Sequence, residues 1–419
     1  MNKELIKELI LENQRFISPV LLVKRDYEVF DNQNYVFVGL RRAGKSYLLY
    51  QQIQNLLQQG HSVEEILYFN FEDDRIDSLS LSDLDLLKRT YEEIFDHKPI
   101  FFLDEIQIID HWEKFVRRLA DQKYQIYVTG SNAKMLSKEI ATTLGGRFMI
   151  KNVFPYSFEE FLLANRIDIH EKNAAYRYAA DIRKLMEKYF AFGGLPEIVN
   201  IPNKREWLRS LYQKIFFGDI VARYLIRNDN ALKLLVKKIA ESVKQPTSFS
   251  RMANIVSSAG AKISKDTIID YISFLKDSWL VFSIENINSK FVERESKKKY
   301  YFVDNGLLNL FLIDPPTFLL ENLVAITLYK KYENEVYYYH DSVEVDFYLP
   351  EQKMAVQVCY SLRDLDTRKR EINALVQIAK RWEIDRFLII TKDEEETISE
   401  HGIEIQVIPV WKWLLRTDN

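Results

Sequence analysis

Two glycines, a lysine and a serine in Gly39-Leu40-Arg41-Arg42-Ala43-Gly44-Lys45-Ser46 have the types and the spacing that phosphate binding requires. Gly39 and Gly44 let the backbone wrap, so that successive N–H groups point inward at an anion. Lys45 offers a charge to β- and γ-phosphates, and the Ser46 hydroxyl is a ligand type for Mg²⁺. An apolar strand over residues 35–38 leads into this loop. A helix opened by Tyr47, with apolar residues at helical spacing, leads out of it. That is the strand–loop–helix setting in which G-x-x-x-x-G-K-S cradles phosphates. Tyr47 is counted with the eight loop residues as nucleotide-contacting.

The second chemical constellation is Asp104-Glu105, at the end of the apolar run Ile100 to Leu103. A continuous apolar run of this length reads as the buried middle of a parallel sheet. Asp104 is placed to hold Mg²⁺ through water, and Glu105 to orient and deprotonate an attacking water. A third strand ends in Thr129-Gly130-Ser131-Asn132, where Ser131 or Asn132 can touch a γ-phosphate or that water. Arg147 follows a glycine pair and precedes a further strand. It could reach a phosphate bound by a neighbouring subunit, or simply make a surface ion pair.

Composition bounds the rest. The chain has 419 residues, 47% apolar and 13% aromatic, enough for two to three domains with large cores. A net charge of −3 disfavours a surface that is basic throughout, though not a local basic patch. The single cysteine, Cys359, leaves no internal disulfide. The charged, amphipathic start lacks a signal-peptide core and no apolar run could cross a bilayer, so a cytoplasmic protein with no membrane partner is expected. Glycine is scarce at 12 residues, so each one marks a backbone need.

The middle of the chain reads as helical. Gly193-Gly194 and Pro196 break a helix, where a small lid is expected to begin. Arg223 and Arg227 are read onto a helix beyond it. Residues 231–290 read as three helices and a strand, with Ser248 or Ser250 capping the second helix and Ser264 the third. The order resembles a winged helix. Nine Lys/Arg against five Asp/Glu in that window give about +4, a mild bias that leaves open either DNA binding or a helical adaptor.

The stretches "GLRRAGKS", "FLDEIQ", "TGSNA", "LGGR" and "FPYSFEEF", in this order, resemble the AAA-superfamily ATPases of bacteria and archaea. More narrowly, they resemble the group fused to a C-terminal domain of unknown function similar to restriction-type nucleases. The resemblance implies that Lys45 and Ser46 bind phosphate and metal. It makes Asp104 and Glu105 the metal and water-activating pair, Ser131 or Asn132 the γ-phosphate sensor and Arg147 an arginine finger. Arg41 and Arg42 are typical of that group's loop, and neither is assigned a contact.

Beyond Pro315-Pro316, a helix carrying Glu321, three strands, a long helix and another strand resemble the PD-(D/E)XK nuclease core. Glu321 and Asp346 match two of its metal-binding positions. Gln357 stands where that chemistry wants a carboxylate, and Cys359 where it wants a lysine. A degenerate site that does not cleave nucleic acid is therefore expected, unless Lys353, Arg368 or Lys369 supplies the missing charge.

The expected architecture is α/β. It comprises a P-loop ATPase core with a parallel sheet (1–160), a helical lid (161–230), a winged-helix-like segment (231–300) and a nuclease-like domain (301–419). The expected function is Mg²⁺-dependent ATP hydrolysis that drives rearrangement of domains or of a partner, with self-association in ATP and DNA as a further partner. The alternatives are an ATP-dependent DNA-processing nuclease and a non-hydrolysing nucleotide-dependent scaffold.

Overall fold

The computed structural model describes residues 2–30, 32–76, 80–131 and 142–415, apart from the side chain of residue 175. The chain divides into two compact units. The first comprises residues 1–154 with 277–279, and the second residues 155–276 with 280–419.

Five parallel strands form the sheet of the first unit: β1 (Asn34–Gly39), β2 (Ile66–Asn70), β3 (Ile100–Asp104), β4 (Ile126–Gly130) and β5 (Phe148–Val153). Their order is β2-β3-β4-β1-β5. β3 and β4 are buried along their whole length, which is why they read as unbroken apolar runs. Side chains alternate between the two faces. Val36, Val38, Phe101, Leu103 and Val128 share a core with α1 (Lys3–Ile17), α3 (Leu81–Ile94) and α4 (Trp112–Asp121). Tyr35, Phe37, Phe102 and Tyr127 point the other way and stack, with centroids 4.6 Å apart for Phe102–Tyr127 and 5.8 Å for Tyr35–Tyr127. The helix α2 (Lys45–Gln58) packs against β1, β3 and β4. Because all strands run one way, Gly39, Asn70, Asp104 and Gly130 end along a single edge, with Asn70 paired to Asp104 and Val38 to Gly130. Ligands gather at such an edge in open parallel sheets.

The second unit is built on a nine-stranded mixed sheet. Its strands are β6 (Thr247–Ser248), β7 (Val281–Asn286), β8 (Lys297–Phe302), β9 (Tyr337–His340), β10 (Glu344–Leu349), β11 (Met354–Val358), β12 (Arg386–Thr391), β13 (Glu396–Glu400) and β14 (Ile403–Pro409). The order is β13-β14-β12-β11-β10-β9-β7-β8-β6. The parallel pairing of β7 with β9 makes one sheet of segments expected to lie in separate domains, and β8 runs straight across residues 300 and 301.

Helices Asp229–Glu241, Phe249–Ser258 and Lys265–Asp277 precede β7, in the order read from the sequence. Ser248 caps the second, accepting from Arg251 N, and Ser264 Oγ accepts from Thr267 N at 3.1 Å. The helix Ala179–Phe192 stops at Gly193, as the glycine pair requires. The helical reading of Arg223 and Arg227 is corrected. Lys214–Ala222 winds as a π-helix that ends at Arg223, and Arg227 lies in the turn beyond it.

Candidate active site

The loop after β1 turns back on itself, with Ala43 N donating to Leu40 O at 3.1 Å. Gly44 takes φ 96°, a left-handed conformation that side chains resist, and α2 starts immediately after it. A Cβ on Gly39 would fall 2.1 Å from Val153 O on the neighbouring strand, so only glycine fits there. The first turn of α2 thus presents its N–H groups to the mouth of the loop, which favours an anion. Arg25, which nothing local in the sequence marked, braces this loop from below. Its guanidinium donates to Ala43 O (3.0 Å) and Phe154 O (2.8 Å).

Lys45 is buried. Its ammonium lies 3.3 Å from Gly39 O, 3.3 Å from Leu40 O and 3.4 Å from Glu105 Oε1. The phosphate loop and the acidic end of β3 therefore meet at one cation. Asp104 is almost fully buried among hydroxyls. It accepts from Tyr68 at 2.7 Å, and from Thr129 and Ser46. Burial and the neighbouring Glu105 push Asp104 up, against the pull of those three hydroxyls. For Glu105, burial acts upward too, but Lys45, Gln107 and Arg41 outweigh it and hold the carboxyl below its ordinary range. Glu105 is thereby kept ionised, the form that can accept a proton. The Ser46–Asp104 hydrogen bond brings a hydroxyl and a carboxylate to one point, so the donor set fits a hard cation such as Mg²⁺.

Ser131 reaches this site through its backbone, its N–H donating to Glu105 Oε2 at 3.2 Å. Gln107 Nε2 donates to the same oxygen at 2.6 Å and lies 3.4 Å from Ser131 Oγ. Asn132 lies outside the described residues. Arg41 pairs with Glu72 at 3.2 Å, Arg42 adopts φ 63°, and Tyr47 is 54% exposed with its ring 5.3 Å from that of Tyr50. Arg147 is not brought to the loop of its own chain. Its Nε bonds Asp121 Oδ1 at 2.7 Å, at the start of β5, where Asn34 at the opposite end of β1 contacts it. Of the residues singled out in sequence, Lys45, Ser46, Asp104, Glu105 and Ser131 converge.

Residues 31–162 match the AAA domain family, and residues 183–317 match a domain of unknown function, DUF8612. The uncharacterized protein MJ1544 of Methanocaldococcus jannaschii is 34% identical, over 99% of this chain and 96% of its own. The chain belongs to the same family as MJ1544, and it carries an AAA domain over residues 31–162. An uncharacterized protein of Haemophilus influenzae is 31% identical over 91% of this chain and 94% of its own. Among solved structures, the Walker-type ATPase PABY2304 of Pyrococcus abyssi aligns with TM-score 0.40 at 14% identity, covering 74% of this chain and 94% of that one. Among the described residues, no helix of this AAA protein is long and apolar enough to cross a membrane.

A second polar pocket of about 810 Å³ lies wholly within the second unit. Glu321, Asp346, Gln357 and Cys359 all line it, so the four positions picked from the sequence do come together. Their roles differ from simple ligation. Gln357 accepts from Asp346 N (2.8 Å) and donates to Glu344 O (3.2 Å) and Glu371 Oε2 (2.6 Å), which makes it a brace between strands and helix. The Cys359 thiol donates to Ser361 O, and burial pushes it up to about 11, so it is an inert filler. Two of the three charges that could have replaced the lysine are engaged elsewhere, Lys353 with Glu383 and Arg368 with Glu396. The cation comes instead from Lys299 on β8, whose carboxylate partners lie 22 to 47 residues away in the sequence, with nothing local to mark it.

Proposed function

We infer that the first unit binds ATP with Mg²⁺ and hydrolyses it. The observation that carries this is the convergence of Lys45, Ser46, Asp104 and an ionised Glu105 at the mouth of one phosphate-sized loop. Loop N–H groups and Lys45 hold the phosphates. Glu105 takes the proton of the attacking water, while Gln107 and the Ser131 N–H fix the direction of its carboxylate. Ser46, and Asp104 through water, would hold Mg²⁺, which when bound would supply positive charge to the phosphate oxygens. Arg147 acts on a neighbouring subunit's site, which requires self-association in ATP. Turnover drives rearrangement of the second unit or of a partner, and the mild positive bias of residues 231–290 supports DNA over an uncharged surface as one partner to test.

The test is binding of a fluorescent ATP analogue, with phosphate release, by wild type and Lys45→Ala. The variant is expected to lose both, by at least about 100-fold in affinity. Equal binding by the two would defeat the assignment. The second unit is not a nuclease in this reading, because Gln357 and Cys359 replace the acid and the lysine of that chemistry. Linear and single-stranded DNA incubated with Mg²⁺ or Mn²⁺ should stay intact. Cleavage lost in Asp346→Ala would promote the DNA-processing alternative.

A further inference from the structure

Lys299 is fully buried, yet it is a cation in contact with three carboxylates from two elements. Its ammonium lies 2.8 Å from Glu344 Oε1 and 3.1 Å from Asp346 Oδ1, both on β10. Glu321 Oε1, from the helix Pro316–Tyr332, is 3.3 Å away. The contacts with Glu321 and Asp346 are hydrogen bonds, and that with Glu344 is an ion pair. The set is held stiffly. Asp346 Oδ2 accepts from Val358 N at 3.0 Å, and Tyr301 donates to Glu321 Oε1 at 2.9 Å. Burial opposes the charge on Lys299, but Glu321, Tyr301, Asp346 and Glu344 together hold it well above an ordinary lysine.

We propose that Lys299 is a resident cation that occupies the focus of the Glu321, Glu344 and Asp346 carboxylates and so excludes divalent metal from the pocket of the second unit. The chemistry is a substitution of like for like. With the ammonium between them, no three acidic side chains among the described residues form a metal site. Oxygen donors of this kind suit a hard divalent ion only once the ammonium is gone, and a covalently tethered ammonium competes for them at a high effective concentration. The pocket then works without metal, whatever the first unit does with ATP. Removing the ammonium leaves a buried carboxylate, Glu321, and two partly exposed ones, Glu344 and Asp346, with no cation between them. That arrangement is unstable until a metal ion replaces the lost charge.

The experiment uses the full-length, nucleotide-free chain and Mn²⁺ as probe, with bound Mn²⁺ counted by electron paramagnetic resonance and stability read as Tm. Wild type, Glu321→Gln, Lys299→Met and the double variant K299M/E321Q are compared. Lys299→Met should melt roughly 10 °C below wild type without metal. It should bind one more Mn²⁺ per chain than wild type and regain roughly 5 °C in an excess about 100 times its Kd. The double variant, with one carboxylate fewer, should lose that extra ion. Wild type and Glu321→Gln should bind equal amounts of Mn²⁺, because neither has this focus open. A Lys299→Met chain indifferent to Mn²⁺ would overturn the proposal. So would a wild-type chain whose bound Mn²⁺ disappears in Glu321→Gln, a comparison that still decides the matter if Lys299→Met proves insoluble.

Discussion

Glu105 sits at φ 55°, a left-handed conformation that costs a residue with a side chain about 1 to 3 kcal/mol. The surroundings impose it: Thr129 Oγ1 accepts from Glu105 N at 2.9 Å, while Lys45, Gln107 and the Ser131 N–H hold the carboxylate. Gln107 is thus a positioning residue for the proton acceptor. Gln107→Leu should lower kcat on the order of 10-fold and leave ATP affinity within about 2-fold. Gln107 also helps hold the Glu105 pKa down, so losing it raises that pKa. The acid limb of the rate profile should move to higher pH, a shift that a purely structural role would not produce. An unchanged kcat with an unchanged acid limb would remove Gln107 from the site. The motif "FLDEIQ" contained this glutamine, but only the 3-10 turn Ile106–Ile108 after β3 folds it back onto Glu105. The glycines, lysine and serine of the loop were legible because adjacent residues make that site. Arg25, Tyr68 and Lys299 were not, because their partners lie far away in sequence and share no spacing.

At the scale of elements, the parallel pairing of β1 with β5 sets the phosphate loop and Arg147 at opposite ends of the sheet. Gly39 pairs with Val153 at one end, and Asn34 pairs with Phe148 at the other. Five steps of strand put Arg147 roughly 17 Å from the loop of its own chain. An arginine finger at that position works only across an interface between copies. Arg147→Ala should therefore bind ATP normally and hydrolyse it slowly, by a factor of about 10³ at most. Mixed with Lys45→Ala, which lacks a working loop but keeps the arginine, it should recover phosphate release beyond the sum of the two alone. Full activity of Arg147→Ala by itself would return the residue to its ion pair with Asp121. The strands that end in Gly39, Asp104 and Gly130 and the three helices before β7 were readable from apolar runs and caps, whereas β2, α3 and α4 were not. The partners of each strand were not, since nothing in "VFSIENI" announces a parallel neighbour some fifty residues on.

Across the whole molecule, the two units carry contrasting ways of holding acidic groups. In the first, Asp104 and Glu105 are held by hydroxyls and a loop lysine that a bound phosphate can engage. In the second, Glu321, Glu344 and Asp346 close around a buried lysine of the same chain. The first arrangement suits turnover, the second a fixed framework, and ATP hydrolysis is the claim on which the functional account depends. Its most direct test is steady-state phosphate release by wild type and Glu105→Gln, with ATP binding measured on the same samples. The substitution keeps the size and shape of the side chain and removes the proton acceptor. The account predicts Mg²⁺-dependent release by wild type, ATP binding within about 3-fold in the variant, and release slowed by at least about 100-fold. Release at the wild-type rate from Glu105→Gln would contradict it.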